Sequence, residues 1–251
     1  MIRLSALLLM LLPFCSFSQV VNIENKRIYD DTAGWSGSLD GGFSAVQNSS
    51  LLYSMNFRPK IQYKNRKHYY LMLGDIVYTS GKGQTYANSG MSHFRYAYRI
   101  KNSPWKWESY AQVQYNILLN QKIRALAGSG IRWKFYDKNG IRFFVGTSSF
   151  YEYEELQTEQ VTNDGFRWSN YLSWFIDPGK GWSFSAATYA QPLFSNFRDY
   201  RIAGQYTLAF HVLKRLDLKM EYTFFHDSRP PTDIRKTVFT STAGFHLKLG
   251  E

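Results

Sequence analysis

The sequence predicts an all-β fold: a transmembrane antiparallel up-and-down β-barrel of about 12 strands, with the N- and C-termini both periplasmic. Three observations predict it. Apolar and polar residues alternate with a period of two in run after run of about ten residues, the length a tilted strand needs to cross a bilayer. Aromatic residues make up 18% of the chain and bunch near the ends of these runs, yet mean hydropathy is only −0.38. A barrel reconciles those two figures, because half of each strand faces lipid and the other half faces a polar interior. Turn-forming residues separate the runs throughout.

Three segments are expected: a signal peptide at residues 1–18, a periplasmic lead-in at 19–33, and the barrel from 34 to 251. Arg3 supplies the basic start of the signal, residues 4–12 its apolar stretch, and Ser16-Phe17-Ser18 the small residues before cleavage at Gln19. The apolar stretch is too short for a good spanning helix. Cys15 follows the bulky Phe14, which argues against a lipidated cysteine. It is the one cysteine of the chain and is expected to leave with the signal, so no disulfide, thiol or cysteine–metal chemistry is expected afterwards.

The runs then follow in order. Trp35, Leu39, Phe43 and Ala45 share one face, against Ser36, Ser38, Asp40 and Ser44. Tyr53, Met55, Phe57 and Ile61 oppose Ser54, Asn56, Arg58, Lys60 and Gln62. Residues 69–78 are mixed on both faces. Phe94, Tyr96 and Tyr98 oppose His93, Arg95 and Arg99, and Trp105, Trp107, Val113 and Tyr115 alternate with Lys106, Glu108, Gln112 and Gln114. Ile123, Ala125, Ala127, Ile131 and Trp133 oppose Arg124, Gly128, Gly130 and Arg132. Tyr200, Ile202, Tyr206 and Leu208 oppose Arg201, Gln205 and Thr207. Leu216, Leu218, Met220 and Tyr222 oppose Asp217, Lys219 and Glu221, and Phe239, Ala243 and Phe245 oppose Thr240, Thr242 and His246.

Tight connections are expected at 64–67, 102–104, 137–140, 177–179 and 214–215. Looser ones are expected at 46–50, 79–90, 118–120, 156–164, 194–199 and 226–235. Their alternation is the short-periplasmic, long-extracellular asymmetry that sets the orientation. The sheet is expected to close, because hydrocarbon offers an unpaired strand edge no partner.

Two stretches carry resemblances. Thr242, Gly244, Leu247 and Leu249 resemble the last-strand signal read by the barrel-assembly machinery, ending on Leu rather than Phe. Residues 107–116 (WESYAQVQYN) and 123–132 (IRALAGSGIR) resemble the central signature of a family of uncharacterised outer-membrane β-barrels labelled salt-induced outer-membrane proteins. That resemblance implies the fold and an outer-membrane location, and carries no catalytic residues.

The net charge of +11 comes from 30 Lys and Arg against 19 acids. Nucleic-acid binding would need those charges gathered on one surface. They are instead spread along polar strand faces as Arg58, Arg95, Arg99, Arg124, Arg132, Arg142 and Arg201. A lumen lined this way favours anions. Against it stand Glu108, Glu152, Glu154, Asp217 and Glu221, which are expected to pair with the arginines and to plug the interior, as small barrels commonly do. Trp35, Trp105, Trp107, Trp168 and Trp182 are read as membrane-interface anchors. Gly128 and Gly130 lie in a strand pattern without a following helix, so they make room for a bulky neighbour or let the sheet bend, rather than cradle phosphate.

No enzyme, metal or cofactor is expected. The low-ranked alternative is lipid hydrolysis or acyl transfer by His226, Asp227 and Ser228, consecutive residues that make a triad only if their geometry converges. Glu152, Glu154 and Glu155 near an outer rim suggest a divalent-cation site less well than plain rim charge. Asn48-Ser49-Ser50 matches a glycosylation acceptor and is given no role. The leading reading is a narrow passive channel for small, anionic solutes, or a structural or stress-related envelope protein. A barrel that binds a partner through loops 79–90 and 156–164 is the other alternative. Expected partners are outer-membrane lipid and the assembly machinery, without nucleic acid, for a monomer whose solute the sequence does not name.

Overall fold

A computed structural model describes residues 33–47, 51–101, 103–158, 162–213, 216–232 and 234–247. The expected signal, nearly all of the lead-in, the Asn48 acceptor, the 214–215 turn and Leu249 lie outside the described residues. Among the described residues twelve strands form one sheet in chain order, each antiparallel to the one before it. They are β1 (Gly34–Gln47), β2 (Leu51–Lys64), β3 (His68–Gly81), β4 (Gln84–Arg99), β5 (Trp105–Asn116) and β6 (Gln121–Lys138). β7 (Ile141–Leu156), β8 (Thr162–Ile176), β9 (Trp182–Leu193), β10 (Asn196–Leu213), β11 (Leu216–Asp227) and β12 (Thr237–Leu247) complete it. The up-and-down all-β fold is the one the alternation predicts.

Register places both chain ends on one side. Gly34 pairs with Lys64 at the start of β1, and Leu247 pairs with Leu216 at the end of β12. We call this the terminal end, and its opposite the far end. Among the described residues no ladder joins β1 to β12.

The sheet is rolled. In a flat sheet, strands three apart would lie about 14 Å apart at a ~4.8 Å spacing. Here the Tyr171 hydroxyl of β8 donates to Glu108 Oε2 of β5 at 3.4 Å, and Arg201 of β10 donates to Glu154 of β7 at 2.7 Å. The inner face is therefore the polar face of the alternation, and Phe94, Trp107, Val113, Phe166 and Met220 lie exposed on the outer face.

The mixed run is β3, and the structure explains it. Leu71 and Leu73 point inward with Met91 of β4, forming an apolar cluster beside Tyr69, while Tyr70, Met72 and Ile76 face out. Both faces of β3 are apolar because one covers the interior and the other covers the outside. Gly74, opposite this cluster, accommodates Pro59: a Cβ there would lie 2.8 Å from the proline Cγ.

One expectation is corrected. Residues 79–90 are not a long loop but the ends of β3 and β4, joined at Lys82-Gly83. Their φ values of 53° and 73° are the left-handed pair that a two-residue hairpin turn requires. Polar small residues there suggested a loop, but they are strand residues, and Thr79 and Ser80 among them are buried. Residues 194–199 likewise shrink to a connection between Leu193 and Asn196. The far end is thus no looser than the terminal end, apart from residues 228–236, and loop length does not orient the barrel.

Candidate functional site: an ion-paired waist and a basic vestibule

Strand alternation aims one side chain in two at the interior, so charged residues spaced by two meet there. On the inner face, toward the far end, Glu152 of β7 accepts from Arg124 of β6, Arg167 of β8 and Arg201 of β10. Arg201 also reaches Glu154 Oε2 at 2.7 Å and Asp227 Oδ2 at 2.8 Å, the latter directly across the β10–β11 ladder. Arg167 Nη1 lies 3.0 Å from Asp199 Oδ1. A second cluster sits nearer the terminal end: Glu108 of β5 meets Arg95 Nη1 at 3.1 Å and Arg132 Nη1 at 3.6 Å. Every one of these side chains is buried except Asp199, which is half-buried.

Buried ions are costly to desolvate, and here each carboxylate is held by guanidiniums that also donate hydrogen bonds. The arrangement cross-links strands that are not neighbours. It also fills the interior: the cavity among Arg95, Glu108, Tyr110, Arg124 and Tyr171 measures about 70 Å³, room for a few waters. Toward the far end, residues Pro230, Pro231 and Ile234 of the β11–β12 connection cover Gln114, Gln121 and Arg201, leaving about 30 Å³.

Glycines shape this packing. A Cβ on Gly128 would lie 2.5 Å from the Phe150 Cβ, and one on Gly146 would lie 2.0 Å from the Tyr171 ring. Their absent side chains let Phe150 lie fully buried and let Tyr171 cross toward Glu108. The expectation that Gly128 makes room for a bulky neighbour agrees with this packing.

The terminal end is different. A cavity of about 510 Å³ opens there. Lys64, Arg66 and Lys67 line it from the β2–β3 hairpin, and Arg99 and Lys106 from the β4–β5 pair. Lys134 and Arg142 complete the wall, Arg132 and Phe144 lie where it meets the waist, and Asp137 is the one carboxylate in the lining. The hairpin is held in shape by the Asn65 carboxamide, which accepts from the Lys67 and His68 N–H groups at 2.9 and 2.7 Å. The Arg132 guanidinium stacks 3.9 Å above the Phe144 ring, and that of Arg142 lies 4.5 Å from the Phe175 ring.

The sequence-predicted charges sort accordingly. Arg95, Arg124, Arg132 and Arg201 join the waist with Glu108, Glu152 and Glu154. Arg58 pairs instead with Asp75 of β3, Nε to Oδ1 at 3.2 Å. Arg142 and Arg99 belong to the vestibule, and Arg99 is exposed at its edge rather than buried in a lumen. Asp217 lies 2.8 Å from His211, the two standing directly across the ladder. Glu221 lies opposite Thr207, on the same face of β11 as Asp217. Glu152 and Glu154 lie near the far end of β7 as expected, but buried in ion pairs rather than solvated, while Glu155 pairs on the outside with Lys122 at 2.6 Å. Arg167, Asp199, Asp75 and Tyr171 were missed, although Arg167 stands between Phe166 and Trp168 in an alternation that marks it as inward.

Trp35, Trp105 and Trp182 stand at the terminal-end beginnings of their strands, with Trp107 two residues further in. Trp168 lies well inside β8 rather than at its end, and its indole N–H donates to Thr147 Oγ1 at 2.8 Å. Thr242, Gly244 and Leu247 are in β12. His226, Asp227 and Ser228 do not converge. His226 Nδ1 lies 2.8 Å from Thr237 Oγ1, Asp227 turns inward to Arg201, and Ser228 Oγ accepts from the Tyr200 N–H at 2.8 Å.

No curated protein matches this chain. Among solved structures, a NanC porin in a rhombohedral crystal form is 13% identical, covering 84% of this chain and 98% of its own, with a TM-score of 0.49. A TodX monoaromatic hydrocarbon channel mutant is 8% identical, covering 87% and 82%, with a TM-score of 0.46. Likenesses of this strength say nothing about what this chain carries. The sequence profile described as "Protein of unknown function, DUF481" matches residues 42–248, and the chain therefore belongs to that family.

Proposed function

We propose that this chain is an outer-membrane β-barrel whose interior is a narrow passage for small anions, shut in the conformation seen here by the Glu152 cluster. The N-terminal signal, the exposed apolar outer face and the barrel-assembly resemblance of β12 support the location, with both termini in the periplasm. The barrel works as a monomer among outer-membrane lipids, and its resemblance to proteins labelled salt-induced suggests a role when external salt rises. The observation that carries the reading is the contact of Glu152 with arginines on three other strands, including β10 across the interior. Positive side chains in a low-dielectric passage select anions, and a carboxylate bridging them blocks the path.

Planar-bilayer recording of the purified protein tests this. The wild type should be silent or show rare, small, anion-preferring openings. Glu152→Gln should open it more often, and Asp227→Asn should do so more weakly should the first variant fail to assemble. Silence of the wild type and of both assembled variants at every voltage would remove the passage and leave a structural envelope protein.

A further inference from the structure

We infer that the terminal-end vestibule is a binding site for a small soluble polyanion, one that carries two or more phosphate or carboxylate groups. This goes beyond passage, because the site is complete while the waist is shut. Its volume, about 510 Å³, falls within the range of small-ligand pockets. The interior then narrows to about 70 Å³ beyond Arg132. A solute large enough to fill the vestibule is stopped there.

Charge identifies its chemistry. Among the described residues, Arg66 and Lys67 of the hairpin converge with Arg99 and Lys134, and the carboxylate in the lining is Asp137, itself paired with Lys134. Like charges gathered in one concave wall repel one another, and the walls focus their field into the cavity. A multivalent anion relieves that repulsion at several points together, whereas a monovalent one relieves it at one. The cations are also pre-positioned. The Asn65 cap holds the hairpin, and stacking on Phe144 fixes the plane of Arg132 at the floor. Less side-chain freedom is then lost on binding.

The test uses the full mature chain in neutral detergent, titrated calorimetrically with sodium tripolyphosphate. One site per chain is expected, with Kd rising at least tenfold between about 50 and 300 mM salt, as multiple charge contacts require. Lys67→Glu with Arg99→Glu should weaken binding at least tenfold. Lys122→Glu, an exposed change at the far end, should leave it within twofold. Arg66→Gln, a milder change, should cost about threefold and serves if the double variant does not assemble. Absence of wild-type binding, or equal loss in Lys122→Glu, would overturn the site. Repeating the titration in phosphatidylcholine nanodiscs with and without cardiolipin separates the sources: unchanged affinity keeps a soluble ligand, and competition by cardiolipin overturns it in favour of a lipid headgroup.

Discussion

The waist and the vestibule use arginine for opposite ends. At the waist Arg95, Arg124, Arg132, Arg167 and Arg201 are set against Glu108, Glu152, Glu154, Asp199 and Asp227, five against five. In the vestibule the same kind of side chain stands in a wall with one carboxylate. Overall charge therefore says little about what a given cation does. Where acids alternate along the facing strands, the positive charge becomes cross-linking between ribbons. Where a tight turn and neighbouring strand ends supply Lys and Arg beside few acids, it becomes an attractive field at an opening.

That contrast can be broken at several points. Removing the hub should have the largest effect: Glu152→Ala takes the buried carboxylate from Arg124 and one of the partners from Arg167 and Arg201, and should lower unfolding stability in denaturant by about 3–5 kcal/mol. A loss under about 1 kcal/mol would mean the waist is not cross-linked as described. Next, Gly128→Val forces a side chain against Phe150 and should destabilise by about 1–3 kcal/mol through overpacking. A loss of thermal stability on heating in detergent measures it, and an unchanged melt would deny the close packing. Lys122→Ala, which breaks a solvent-exposed pair with Glu155, should leave the same melt nearly unchanged. Smallest of all, Lys67→Glu with Arg99→Glu should change stability by about 0.5 kcal/mol or less, since both are exposed surface sites. A vestibule variant as damaging as Glu152→Ala would erase the distinction between the two regions.

Much of this architecture was readable from the residues. The inward set Glu108, Gln112 and Gln114 and the outward set Trp107, Val113 and Tyr115 follow from alternation alone, and the structure places them so. The acids Glu108, Glu152 and Glu154 were legible as partners for arginines on the same polar face. Two things were not. The segment 79–90 looks like a loop because Ser, Gly, Thr and Asn serve turns and polar strand faces equally well. The vestibule was invisible because its cations come from one turn and five strands, with Arg66 and Lys67 in a turn where charge looks merely solvated.

Strand number, strand order and the division into inner and outer faces follow from the amino-acid sequence by itself, because a period of two and the chemistry of tight turns are local properties. Tertiary structure alone decided which charges meet. Arg201 and Glu152 are 49 residues apart, and Tyr171 and Glu108 are 63. Their contact depends on how far the sheet rolls and how its strands are staggered, quantities set by the whole sheet and by no short window of sequence.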